Sequence, residues 1–248
     1  MGSAAPIAVP IAAPIAILSA MREEQHALLP LIENVERFEV AGRQFHCGRL
    51  RGRSVVLALS GIGKVAAAAT ATLLVDRFAA GELLFTGVAG GLHAGVAVGD
   101  VVVARTLLQH DMDASPLFPR YEVPLTGRSR FEADAERATA LSQAARRCLT
   151  GDRRVHEGLI VSGDRFVSSA AESSALRSAL PDALAVEMEG AAVAQVCSDF
   201  GRPFAVLRSI SDRADDAAHV DFTQFVAEVA SVYARTIVSD WLACRIDR

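Results

Sequence analysis

Ile15-Ala16-Ile17-Leu18-Ser19-Ala20-Met21-Arg22-Glu23-Glu24 is an apolar run that ends on an acidic pair. Continuous apolar residues, rather than alternating ones, mark a strand covered on both faces. Ile15–Ala20 therefore reads as a buried strand, followed by a helix over Glu23–Glu33. Carboxylates at a helix start gain from the helix field, which accounts for Glu23 without any function. The same arrangement recurs twice downstream. A short strand at Ala183–Glu187 leads through Val186-Glu187-Met188-Glu189-Gly190 into a helix over Glu189–Phe200, and the strand Phe204–Ile210 runs into Arg208-Ser209-Ile210-Ser211-Asp212. Acids at the ends of three strand-like runs predict an α/β sheet whose strand ends share one ligand crevice.

Further elements fill in around these. Val35–Val40, Arg43–Leu50 and Ser54–Leu59 read as strands joined by tight turns at Gly42 and Gly52. Gly61-Ile62-Gly63-Lys64 opens an alanine-rich helix through Phe78, and Leu83–Val88 is a core strand ending in Ala89-Gly90-Gly91. Val98–Leu108 and His156–Ser162 are strands; Phe131–Leu149, Ala171–Leu180 and Phe222–Arg245 are helices. Residues 110–130 carry three prolines and little periodicity, so they form a long loop. Strands alternating with helices predict a single α/β domain, a mainly parallel or mixed sheet with helices on both faces. Residues 4–18, rich in Ala, Pro and Ile, have no Lys or Arg before them and are interrupted by Pro6, Pro10 and Pro14, so residues 1–13 read as a flexible extension before a cytoplasmic domain spanning 14–248.

Composition narrows the function classes. Hydrophobic residues make up 51% of the 248 and the net charge is −4, which fits a two-face-covered sheet with apolar surface left for an oligomer interface. No basic concentration of the kind nucleic acid requires is present, and no stretch reads as a membrane span. The four cysteines, Cys47, Cys148, Cys197 and Cys244, match no metal or redox spacing, and Cys197 reads as a small buried hydrophobe. The six histidines show no metal spacing either, and His110-Asp111-Met112-Asp113 is a weak ligand cluster at most.

The acids carry the chemistry. Glu24 could take a proton from attacking water if it faces the crevice. Glu187 and Glu189 could hold two ribose hydroxyls, cap a helix or pair with an arginine. Asp212 is either a solvated loop acid or a partly desolvated carboxyl able to protonate a leaving group. Phe166, in Ser162-Gly163-Asp164-Arg165-Phe166-Val167, could stack on a planar base or pack in the core. The glycine-rich stretches at 61–63 and 87–91 allow close backbone approach by a ligand, or simply turn the chain. Carboxylates without a histidine or cysteine cluster suggest proton transfer and sugar recognition more than metal binding.

These segments together resemble the bacterial 5′-methylthioadenosine/S-adenosylhomocysteine nucleosidases of the purine nucleoside phosphorylase superfamily. The resemblance rests on Ala20-Met21 with Glu24, Ser60-Gly61-Ile62-Gly63-Lys64-Val65, Thr86-Gly87 with Ala89-Gly90-Gly91, Gly158–Asp164, Val186–Glu189, and Arg208 with Ile210-Ser211-Asp212, in that order. It implies a three-layer α/β/α fold with a mixed, partly barrel-like sheet, and hydrolysis of an N-ribosidic bond to adenine. Asp212 would protonate N7 and Glu24 would deprotonate the water attacking C1′, with Arg208 ordering that end of the site. Glu189 would hold the ribose hydroxyls, Met188 would lie on the sugar and Glu187 would support the pocket. Phe166 would stack on adenine, with the Val167 backbone at its edge, Phe222 beside it and Ala89, Gly90 and Ser211 completing the walls. A homodimer and no cofactor are implied.

The chain departs from the family pattern in two places. Val88 stands where the family commonly has serine, and the loop Asp113–Tyr121 is unlike its usual form. Phe118 or Tyr121 could line the pocket for the nucleoside's 5′ group or pack at an interface. Futalosine or aminofutalosine hydrolysis, phosphate-dependent cleavage and nucleoside binding without turnover are the alternative readings.

Overall fold

The computed structural model describes residues 13–216, 218, 225 and 229–244. Ten strands form one sheet: β1 Ile15–Ser19, β2 Glu33–Val40, β3 Arg43–Leu50, β4 Arg53–Leu59, β5 Glu82–Gly91, β6 Val101–Gln109, β7 Arg130–Glu132, β8 Val155–Ser162, β9 Ala183–Glu187 and β10 Phe204–Asp212. The helices are α1 Arg22–Leu28, α2 Lys64–Asp76, α3 Ala135–Cys148, α4 Ala170–Ala179, α5 Gly190–Asp199 and α6 Ser231–Ala243.

Strand β1 lies between β4 and β5, parallel to both, and β4, β3 and β2 continue outward as an antiparallel meander. Its hairpins turn through Ala41-Gly42 and Arg51-Gly52, all four at positive φ (50°, 69°, 53° and 77°). That is the type I′ geometry of two-residue hairpins, and it suits the strand twist. On its other side β5 pairs with β10, which continues through β6, β8 and β9. Strand β9 then returns to β5, Val186 opposite Gly90 and Ala185 opposite Gly91. Strands β5, β10, β6, β8 and β9 therefore close a ring, which is the barrel-like part of the sheet. Along one edge of β5, β1 pairs as far as Thr86 and β9 begins only at Gly90. The interval Gly87-Val88-Ala89 is left between them.

The sheet separates two apolar cores. Ala16 and Leu18, Val56 and Ala58, and Phe85 and Val206 face a cluster with α2 and α5. Ile15 and Ile17, Val55 and Leu57, and Leu84 and Leu207 face the other cluster, with α3 and α6. This period-2 division of fully apolar strands is what a sheet covered on both faces requires. Cys197 is wholly buried, and burial pushes its thiol up to about 12. Among the described residues no helix is long and apolar enough to cross a membrane.

Several sequence boundaries move. The helix expected over Glu23–Glu33 stops at Leu28; a 3₁₀ turn with Pro30 follows, and Glu33 already begins β2. Proline removes an interior helix hydrogen bond, which ends the α-helix there. The helix expected from Phe131 starts at Ala135, capped by Asp134, whose side chain accepts from the Arg137 N–H at 2.9 Å. Phe131 belongs instead to β7, opposite Leu107. Strand β5 runs on through Ala89-Gly90-Gly91, read above as a turn, because β9 and β10 give those residues partners. The helix expected over Phe222–Arg245 contains α6, with residues 225, 229 and 230 helical before it; Phe222 and Arg245 lie outside the described residues.

Candidate active site

A cavity of about 470 Å³ opens at the gap in the β5 edge. Gly87, Val88, Ala89 and Gly90 form its floor, Ala20, Met21 and Glu24 one wall, and Val186–Glu189 another. Arg208, Ser211 and Asp212 from β10 close the back, while Ile62 and Phe166 stand at the mouth, 65% and 42% exposed. The structure thus brings together every residue that the resemblance assigns to the adenine and ribose site except two. Val167 lies in an adjoining recess of about 20 Å³ shared with Phe166, Gly90 and Asp212, and Phe222 falls outside the described residues. Phe118 and Tyr121, offered for the 5′-group pocket, are not among the lining residues, Tyr121 packing against an apolar cluster with Leu92 and Val161.

At the centre is an ion pair between Arg208 and Glu187, both almost fully buried. Arg208 donates from Nη2 and Nε to Glu187 Oε2 at 2.7 and 3.2 Å. Its guanidinium lies 4.0 Å from the Phe85 ring centroid, where the ring face favours a cation. Glu187 also accepts from the Gly190 and Glu189 N–H groups, at 2.8 and 3.2 Å to Oε2, and from the Ser162 hydroxyl. Such saturation is what makes a buried charge tolerable. The position needs Gly87 as well, because a β-carbon there would meet Arg208 Nη1 at 2.9 Å. Glu187 is therefore both the ion-pair partner and a cap for α5, the two simpler roles read for it above.

Two further glutamates line the cavity without such partners. Glu24, 1% exposed on α1, receives a long 3.4 Å bond from the Met21 N–H. Burial pushes its carboxyl up to about 7 against the opposing pull of the Arg208 charge and the backbone of Met21 and Ala20. Glu23, its neighbour, is exposed. Glu189 precedes α5 and takes the Gly63 N–H on Oε1 at 2.8 Å. Burial and then the charge of Glu187 raise its carboxyl to about 7, with Gly63 and Arg208 acting the other way. Carboxyls that titrate near neutrality can both take up and release protons at working pH.

Asp212 is the last residue of β10 and 1% exposed, so it is not a solvated loop acid. A register shift between Ile210 and Asp212 against β5 re-aims the strand end. The Ser211 hydroxyl donates to Oδ2 at 2.8 Å and the Ala214 N–H to Oδ1 at 2.8 Å. Phe166, half exposed beside it, is not a core residue. Asp216, exposed beyond the end of β10, accepts from the Ala170 N–H at 3.3 Å at the start of α4.

Two residues hold the site in ways the sequence did not indicate, Ser162 and Gly63, the latter read only as part of a glycine turn. Ser162 ends β8 opposite Glu187, and its hydroxyl also accepts the Ala191 N–H at 2.7 Å, tying α5 to the ring. Gly63 supplies the donor to Glu189. The signal for Ser162 was a hydroxyl ending an otherwise apolar strand beside a glycine, which becomes informative only once β8 and β9 are known to pair. Among the described residues no group of three or more His, Cys, Asp or Glu side chains could hold a metal ion.

Comparison with known proteins gives the same picture. The phosphorylase superfamily model matches residues 14–242. A 5′-methylthioadenosine/S-adenosylhomocysteine nucleosidase of Geobacillus kaustophilus is 40% identical over 225 residues, 90% of this chain and 94% of that protein. The solved structure of the Neisseria meningitidis 5′-methylthioadenosine/S-adenosylhomocysteine nucleosidase, in complex with methylthio-immucillin-A, superposes with a TM-score of 0.88 at 37% identity, covering 93% of this chain and 98% of that one. A futalosine hydrolase mutant of Helicobacter pylori superposes at 0.85 with 36% identity, covering 92% and 98%. The chain belongs to the 5′-methylthioadenosine/S-adenosylhomocysteine nucleosidase family of the phosphorylase superfamily.

Proposed function

We propose that this chain hydrolyses the N-ribosidic bond of 5′-methylthioadenosine, S-adenosylhomocysteine or 5′-deoxyadenosine and releases adenine. The observation that carries this is the meeting of Glu24, Glu189 and Asp212 in one cavity with Phe166 at its mouth. In this reading adenine lies in the cavity of about 470 Å³ beside Phe166, with Ala89, Gly90 and Ser211 around it and the Val167 backbone toward its edge, and Asp212 donates a proton to N7. The C1′–N9 bond then breaks with its electron pair going to adenine. Positive charge develops on the ribosyl carbon, faced by carboxylates rather than water, which lowers the barrier most when the charges are fixed in advance. Water adds at C1′ and gives its proton to Glu24. Glu189 holds the ribose hydroxyls through the oxygen that Gly63 leaves free, and Met188 lies against the sugar.

Water is the nucleophile favoured here because the position after β1, where an anion would approach, presents the carboxyl of Glu24. The reading includes a homodimer, to which Ile62 just before α2 and Val65 in its first turn, 65% and 81% exposed, offer apolar surface beside the mouth. Futalosine-type hydrolysis is the second reading, favoured by the Helicobacter pylori likeness and by the Asp113–Tyr121 loop. The deciding experiment is chromatography of phosphate-free reactions with methylthioadenosine, adenosylhomocysteine, 5′-deoxyadenosine and aminofutalosine. Adenine release from the first three supports the main reading. Preference for aminofutalosine supports the second, and release only on adding phosphate overturns hydrolysis.

A further inference from the structure

Three loops meet beside the cavity in a closed ring of hydrogen bonds that the reaction described above does not use. Lys64, the first residue of α2, donates from Nζ to Asp111 Oδ1 at 2.6 Å, in the loop after β6. Asp111 Oδ2 accepts the Asp164 N–H at 2.9 Å, in the loop after β8. Asp164 Oδ1 accepts the Lys64 backbone N–H at 2.7 Å and closes the circuit. Lys64 Nζ also reaches Gln109 Oε1 at 3.1 Å, and Gln109 in turn donates to Gln195 on α5 at 2.8 Å. Partial burial pushes the Asp111 carboxyl up, yet the hydrogen bonds and charge of Lys64 with the Asp164 N–H hold it below its ordinary value.

Each end of this ring adjoins a group that would touch the nucleoside. Gly63, next to Lys64, gives its N–H to Glu189, and its φ of +94° leaves a β-carbon 3.1 Å from Asp164 Oδ1. Phe166 follows Asp164 by two residues, where Arg165 N–H bonds back to the Gly163 carbonyl at 2.7 Å. Glu24 on α1 and Asp212 at the end of β10 stand on elements other than those that carry the ring. We propose that Lys64, Asp111 and Asp164 are positioning residues that hold Glu189 and Phe166 at the separation a nucleoside requires, so that they set affinity and leave the chemical step alone. The inference rests on the nucleosidase reading.

The test uses the full chain with Lys64→Met, Asp111→Asn and the double variant. Asp111→Asn is the milder change, since residue 111 is on a rim loop and keeps an acceptor for the Asp164 N–H. Loss of substrate binding shared by ground and transition states raises KM and spares kcat, so each single variant should raise KM about tenfold with kcat within about threefold. The double variant should add little, because both singles break one bridge. Melting temperatures report any purely structural role. KM within about twofold of wild type in both singles, or single effects that multiply fully in the double, overturns the proposal. A wild-type chain that releases no adenine overturns the nucleosidase reading instead. Calorimetric titration with intact methylthioadenosine then gives Kd in place of KM, judged by the same tenfold criterion.

Discussion

Residue 90 lies so close to Asp212 that a β-carbon there would sit 2.8 Å from Asp212 Oδ1 and 2.9 Å from Ala214 Cβ. Gly90 is thus the space into which the acid is fitted. Gly90→Ala must displace the Asp212 carboxyl or the turn at Ala214. Misplacing a reacting group by about an ångström costs on the order of 100-fold, so kcat should fall by about that factor with circular dichroism unchanged. A variant turning over at the wild-type rate would contradict the assignment of Asp212.

Asp212→Asn keeps the shape and the Ala214 bond but removes the proton donor. Turnover should drop by about 10²–10⁴-fold, the range a positioned general acid supplies. Adenine release and thermal melting, measured on the same preparation, separate this from unfolding.

Glu24 can accept a proton only as a carboxylate, so wild-type kcat/KM should rise with pH through about 7. Glu24→Gln should abolish most activity and that limb of the profile together. An unchanged profile in the variant would remove Glu24 from the role.

The same raised carboxyls bear on stability. Below the unfolded-state value of 4.5 both forms of the chain are protonated at Glu24 and Glu189; between there and about 7 only the folded form holds these protons. Stability should therefore decline as pH rises through that window. Glu24→Gln removes its share of the decline, on the order of 3 kcal/mol between pH 5 and 8. Urea denaturation of both proteins at the two pH values measures it, and parallel pH dependence would count against the burial argument.

Glu187→Gln leaves Arg208 buried without its charge partner. Removing one member of a buried pair costs about 3–5 kcal/mol. Chemical denaturation should show that loss, and restoration by a second change, Arg208→Met, would identify the ion pair as its source.

Much of this site was legible because its acids sit where apolar runs end. Ile15–Ser19, Ala183–Glu187 and Phe204–Asp212 are all strands, and Glu24, Glu187, Glu189 and Asp212 all reach the cavity. What local pattern could not supply was pairing. The continuation of β5 through Gly90-Gly91 depends on β9 and β10, and the support given by Ser162 depends on β8 lying beside β9. Phe131 has an apolar side chain ahead of a helical pattern, and only the partner strand β6 makes it extended. His110-Asp111-Met112-Asp113 read as a weak ligand cluster for want of further donors nearby in sequence, and the ion-pair partner of Asp111, Lys64, lies 47 positions away where local pattern could not reach it.

The cavity occupies a missing stretch of hydrogen-bond ladder, so its breadth is counted in residues. Three positions, Gly87, Val88 and Ala89, separate the last β1 partner from the first β9 partner on that edge of β5. At about 3.3 Å per residue the opening is about 10 Å long. Extending β1 past Ser19, or starting the β9 pairing earlier, would zip the pocket shut without changing a single lining side chain. Strand length, as much as any side chain at the wall, is therefore a determinant of what this enzyme can admit.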